Sequence, residues 1–367
     1  MSQPDAPLPR TGLYVFRARR VERLAAVLAA RLAPAPDGDP LAPVRVAVGS
    51  RGMARWLRRE LAGRLGIAAN LSFQFPAQAL EALLAEAGQG PCAAAWSSGA
   101  LTWAVLAELP GLLARPEFEP LRRYLGEERG VVDRRAWALA RELADVLDRY
   151  ALYRRDWTAA WARGEQPGEL AEAPEAAWQA GVWRALGERL GAASLPGRLG
   201  RHLAQPAPPA CRPLHVFGVS SLPPAYVEAL AHQATASRVE LYLLCPSDLY
   251  WGDLRRGYRE LRRVLAGRER EAIVQALHAE LERQNPLLTS LGRASRDFQG
   301  VLEEHAPGYQ EPREDLFAEA EPPGCLLAWL QHDIQELHPP PATPSARRPI
   351  SPQDDSLGVH ACHGPTR

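Results

Sequence analysis

The chain has 367 residues, 46% of them hydrophobic, enough to bury the cores of two or three domains. Its formal net charge is zero, so it is not a polycation that would coat DNA, and every one of its 43 basic residues is arginine. The absence of lysine excludes two chemistries: a P-loop NTPase needs a lysine ammonium on the transferred phosphates, and restriction-type nuclease centres pair their metal-binding carboxylates with a lysine.

The first residues, MSQPDAPLPRTG, lack a charged-then-apolar leader, and no apolar run reaches the roughly 18 residues that a membrane span needs. A cytoplasmic protein without membrane contact is expected. Five scattered cysteines without a CxxC pair (92, 211, 245, 325 and 362) read as reduced, mostly buried thiols. Charge is uneven along the chain. Residues 1–70 carry 12 Arg against 5 acids, and residues 301–340 carry 9 acids against 1 Arg, which suits a phosphate backbone at one end and a protein partner at the other.

In chain order, LYVF (13–16) reads as a strand, and the following helix sets Val21, Leu24, Leu28 and Leu32 on one stripe. PAPDGDPLAP is a loop by composition. VRVAV (44–48) is a second strand, and Ser50 is placed to cap the next helix. There Met53, Trp56, Leu57, Leu61 and Leu65 share a face, with Arg55, Arg58 and Arg59 away from it. LSFQF (71–75) alternates as a strand should, and a helix follows. From about 95 to 205 the periodicity is helical and holds seven of the ten tryptophans (96, 103, 137, 157, 161, 178, 183), read mainly as core. Strand signals return in LHVFGVSS (214–221) and VELYLLCP (239–246) around the helix AYVEALAHQA. Strands alternating with helices predict an α/β fold with a parallel sheet covered on both faces. The expected domains are 12–90, a helical insertion at 95–205, 210–338 completing the sheet domain with a helical extension, a proline-rich linker at 339–356, and the first strand of a further domain at 357–367.

A phosphate cradle needs glycine-freed N–H groups between strand and helix, with a cation at the loop's end. The turn Phe16–Arg20 contains no glycine and cannot be a Walker loop. Gly49-Ser50-Arg51-Gly52 has the glycines but is too short and lacks the GK[ST] ending. It suits a backbone phosphate held by Arg51 and the helix N-terminus, or an ordinary helix start, and it is not an ATPase loop. The acid that would hold magnesium at the end of LHVFGVSS is replaced by Phe217 and Gly218. Ser220 in GVSSL ends its elbow pattern on Leu222 rather than glycine, and reads as a helix cap before Pro223. His360 and Cys362 of HACH lack a second ligand pair for a metal.

In RELADVLDRYALYRRDW (141–157), Leu139, Leu143, Val146, Tyr150 and Tyr153 form one helical stripe, with Arg141, Asp145 and Asp148 opposite it. Asp145 lies four residues from both Arg141 and Arg149, so a salt-bridged, solvated face is expected in preference to a metal site.

Six blocks carry a resemblance: GMARWLRREL with GIAANLSFQFPA (52–76), LADVLDRYALYRRDW (143–157), HVFGVSSLPPAYVEAL (215–230), YLLCPSDLYWGD (242–253), NPLLTSLGRASRD (285–297) and DDSLGVHACHGPTR (354–367). In this order the chain resembles the N-terminal third of the RecC family, the gamma subunits of exodeoxyribonuclease V. The resemblance implies a RecA-like parallel sheet of a degenerate superfamily 1 helicase domain with a large all-helical insertion, predominantly helical overall. It implies RecB-like and RecD-like partners in a heterotrimer, and single-stranded and duplex-end DNA. It implies no cofactor in this chain, ATP and Mg²⁺ being used by the partner subunits, and no catalytic or metal-binding residue. It also implies a role in guiding the 3′-ended strand and recognising Chi, with Gly49, Arg51, Arg55, Phe75, Asp145, Val146, Asp148 and Arg154 at positions facing that strand. Members of the family carry amide or hydroxyl side chains where this chain has Gly49, Arg51 and Arg55, and arginines there favour phosphates or guanine edges. Two rival readings are an active ATPase or nuclease subunit and a protein scaffold without DNA contact.

Overall fold

The computed structural model describes residues 8–32, 43–90, 94–126, 134–191, 193–209, 213–247, 249, 285–312, 316–317, 324–339, 341, 343, 348–358 and 360. The chain divides into two units. One takes residues 1–13, 74–214 and 222–239 and is helical; the other takes 14–73, 215–221 and 240–367 and is built on the sheet. The loop at 33–42, the segment 251–284, Cys92, Cys211 and Cys362, and nearly all of the expected strand at 357–367 lie outside the described residues.

The sheet is parallel and ordered β1-β5-β4-β2-β3. Its strands are β1 (Gly12–Ala18), β2 (Val44–Val48), β3 (Leu71–Gln74), β4 (Leu214–Phe217) and β5 (Arg238–Leu244). β4 is buried at every position, and β1 and β5 carry runs of consecutive buried residues, as expected of strands covered on both faces. β3 is different. It closes one edge of the sheet and each of its four residues is half-buried, so the alternation expected of LSFQF is not expressed as burial. At the other edge Tyr14 makes a parallel bridge to Gln310.

Helix α1 (Val21–Leu32) buries Leu24, Val27 and Leu28, and it packs on α2 (Arg51–Leu65), which buries Leu57 and Leu61. Leu65 is exposed, since the helix ends there on Gly66 with φ 77°. The sheet unit also holds α11 (Pro286–Leu291), α12 (Arg293–His305) and α13 (Leu326–Gln335). Cys245 is buried and Cys325 is half-buried.

The helical unit comprises α3 (Pro76–Glu86), α4 (Ser98–Leu112), α5 (Glu119–Leu125), α6 (Arg134–Tyr153), α7 (Arg155–Ala162), α8 (Ala176–Leu190), α9 (Leu195–Leu203) and α10 (Pro224–Ala234). One core joins α4, α5, α6, α7 and α8 around Val105, Phe118, Trp161 and Val182, and a second joins α3, α9 and α10 through Leu84, Leu199 and Ala229. Of the seven tryptophans, Trp96, Trp161 and Trp183 are core, while Trp103 is 63% exposed. The helix α10 starts behind Pro223 without a side-chain cap, so the expected capping by Ser220 does not occur.

The expected stripe of α6 is displaced. The buried residues are Ala140, Leu143, Ala144, Leu147 and Ala151, a face turned by about 100° from the one drawn through the large side chains. The alanines explain it: they let α4 and other neighbours approach the backbone closely, which a stripe chosen by side-chain size overlooks.

Candidate nucleic-acid interface

In the sheet unit, the turn after β2 is built as expected. Ser50 accepts a hydrogen bond from the Met53 N–H at 3.1 Å, which seats the first turn of α2 and leaves Gly49, Arg51 and Arg55 exposed. A Cβ at Gly49 would lie 3.9 Å from the Gly218 carbonyl oxygen, so the ends of the neighbouring strands β2 and β4 meet here through glycine backbone. Gly218 has φ 64°, and a Cβ there would stand 3.1 Å from the Met53 methyl carbon. Only glycine fits this corner without strain.

The places where a motor domain keeps its catalytic groups are filled otherwise. Phe217 is fully buried, its ring centroid 6.3 Å from that of Trp56 and 5.7 Å from that of Tyr242. Arg17, in the turn after β1, pairs with Glu311 at 3.0 Å and donates to the Tyr309 hydroxyl at 3.3 Å. The cavity at the ends of β1, β4 and β5, lined by Arg17, Ser220, Cys245, Phe298 and Leu302, holds about 20 Å³, the room of roughly one water.

In the helical unit, Phe75 precedes α3, is 37% exposed, and donates its N–H to Gln78 Oε1 at 2.9 Å. Asp145, Val146 and Asp148 lie on α6, all half-buried. The pairing of Asp145 with Arg141 or Arg149 does not form; its carboxylate accepts the Ser98 hydroxyl of α4 at 3.3 Å instead. The rotation of α6 accounts for this, because it turns Asp145 toward α4 and carries Asp148 partly inward. Burial raises the Asp148 carboxyl above its ordinary value, and the Asp145 charge adds to the rise.

Arg154, ahead of α7, is not a free cation. It pairs with Asp156 at 3.0 Å and with Glu169, and its guanidinium lies 3.7 Å over the Trp157 ring. A phosphate contact by Arg154 would require exchange of these partners.

The structure adds residues that motif reading missed. Tyr226 of α10 is raised mainly by burial, then by the charges of Asp148 and Glu81, so residues 81, 148 and 226 converge within this unit. Glu81 is held by the buried Arg198. No local spacing signals this cluster, because its members come from three helices far apart in sequence.

A parallel α/β domain with exposed arginines at a strand-to-helix turn, and with aromatic and apolar side chains where a nucleotide hydrolase holds phosphate and magnesium, defines a motor-like scaffold fitted for binding. The chain belongs to the RecC family: the family described as "RecC, N-terminal domain" matches residues 13–337. It is 32% identical to the RecBCD enzyme subunit RecC of Escherichia coli K12 over 97% of its length and 34% of the relative's. It is 34% identical to the subunit of Mycolicibacterium smegmatis over 97% of its length and 30% of the relative's. For Haemophilus influenzae the identity is 29%, over 96% of this chain and 35% of the relative. The chain therefore spans about a third of the length of the curated relatives it matches.

Proposed function

We propose that this chain acts as part of a non-catalytic, DNA-binding subunit in a RecBCD-type helicase–nuclease that processes double-strand breaks for homologous recombination. It guides the unwound 3′-ended strand toward the nuclease and takes part in Chi recognition. RecB-like and RecD-like subunits supply ATP hydrolysis, Mg²⁺ and DNA cleavage, and the complex works in the cytoplasm. Among the described residues no helix is long and apolar enough to cross a membrane.

The observation that carries this reading is the turn after β2. Arg51 and Arg55 are exposed at a helix N-terminus whose first turn holds no acid, at the end of a parallel strand. That arrangement concentrates positive potential on a surface where open α/β sheets bind ligands. The lysine-free sequence supports the non-catalytic part, since the phosphate-holding ammonium of a P-loop is unavailable to this chain. The half-buried Asp145 and Asp148 would serve as acceptors for base edges.

The test is photocrosslinking of the 3′-ended strand in the assembled heterotrimer, comparing wild type with Arg51→Glu/Arg55→Glu. Loss of the crosslink to this chain is expected. Unchanged crosslinking supports the scaffold reading, and robust Mg²⁺-dependent ATP turnover by this chain alone overturns the proposal.

A further inference from the structure

The basic surface of α2 continues beyond the two arginines assigned above. Arg51, Arg55, Arg58 and Arg59 recur at helical spacing on the face opposite the buried Leu57 and Leu61, and all four are exposed. None of the four makes an ion pair among the described residues. Arg64 is the contrast: it is neutralised by Glu60 at 2.7 Å, the sole acid of the helix, and also donates to the Glu22 carbonyl. Like charges one turn apart repel, and cations near a helix N-terminus oppose its dipole. A stripe that carries both penalties without an internal anion is built for an external one.

Two features select the kind of anion. The cations at 51, 55 and 58/59 step up the helix by about 5–6 Å, matching successive phosphates of an extended strand. The Arg58 guanidinium also lies 4.9 Å over the Phe73 ring, on the edge strand β3. A planar cation backed by an aromatic ring offers its outer face to a nucleobase, which an acidic peptide would not use.

We infer that Arg58, Arg59 and Phe73 form a second contact for single-stranded DNA, with Arg59 on the backbone and Arg58, braced by Phe73, stacking on a base. The inference rests on the DNA-binding reading proposed above and extends it to residues outside the assigned set.

The experiment is fluorescence anisotropy of labelled oligothymidine with the full chain across a salt series. Arg58→Ala/Arg59→Ala should weaken binding roughly tenfold at low salt and flatten the log–log salt slope by about 1.4, near 0.7 for each cation removed. Phe73→Leu should weaken binding without changing the slope, since it removes no charge. Arg64→Ala should leave both unchanged. Wild-type behaviour of the Arg58/Arg59 variant beside a loss in Arg51→Ala/Arg55→Ala overturns this inference and leaves the proposed function standing. If both double variants bind as wild type, or the wild-type chain does not bind, the DNA reading falls as well. Polyglutamate competing as well as unlabelled oligothymidine would point to an acidic protein partner and overturn the inference.

Discussion

Arg198, wholly buried on α9, holds the Glu81 carboxylate of α3 with two nitrogens, at 2.9 and 2.8 Å, and donates to the Gly90 carbonyl at 2.6 Å. The ion pair joins helices more than a hundred residues apart in sequence and fixes the α3 segment that begins beside Phe75.

Breaking this pair should be costly. Arg198→Met removes the cation and leaves a carboxylate and a carbonyl without their donor. Loss of one partner of a buried pair costs about 3–5 kcal/mol, and Glu81, 37% exposed, recovers part of that from water, so about 3 kcal/mol is expected. Denaturant midpoints measure it. A loss below about 1 kcal/mol would show that the pair is not what ties α9 to α3.

Gly218 offers a second test, because its φ of 64° and the nearby Met53 methyl both oppose a side chain. Gly218→Ala should destabilise the sheet unit by about 1–2 kcal/mol, mostly from backbone strain, since Met53 is flexible and can withdraw. Gly218→Asn should cost less, as asparagine tolerates the left-handed region. Equal losses for the two variants would shift the cause from strain to crowding.

Acid should loosen the helical unit through a histidine pair. The rings of His202 and His232 meet edge to face at 4.6 Å, and each has a buried Nε2 without a hydrogen-bond partner. Burial lowers the His202 value below 6.5, and the His232 charge lowers it further. A depressed histidine contributes stability that is present above its unfolded value and lost as pH falls through the folded one. The melting temperature should therefore drop as pH falls below 6.5, and His202→Leu should flatten that dependence. An unaltered pH profile in the variant would falsify the assignment.

Asp148 has the opposite sign. Its carboxyl is raised, first by burial and then by Asp145, so the fold holds the proton more tightly than the unfolded chain does. Its contribution is most favourable below the ordinary value of 3.8 and is lost as pH rises through the folded value. Asp148→Asn should raise the melting temperature at neutral pH, with the gain shrinking in acid. The same variant should weaken single-strand crosslinking if the carboxylate accepts base edges, so stability and binding should move in opposite directions. A lower melting temperature at neutral pH would mean that the charged carboxylate stabilises the fold.

What the residues determined alone is the part governed by neighbours in sequence. The buried runs in LYVF, LHVF and VELYLL specify strands of a covered parallel sheet. Ser50 three residues before the Met53 N–H specifies a capped helix, and a chain without lysine forgoes P-loop chemistry. The arginines of α2 were also legible, because the opposite face of that helix is marked by Leu57 and Leu61.

Tertiary structure alone decided which side of α6 is buried, that Asp145 takes Ser98 rather than an arginine, that Arg154 is already paired, and that Glu81, Asp148 and Tyr226 converge. The reason is physical. Periodicity records how large side chains recur along one helix, whereas burial depends on how closely neighbouring elements approach, and the small alanines of α6 permit an approach that side-chain size does not signal.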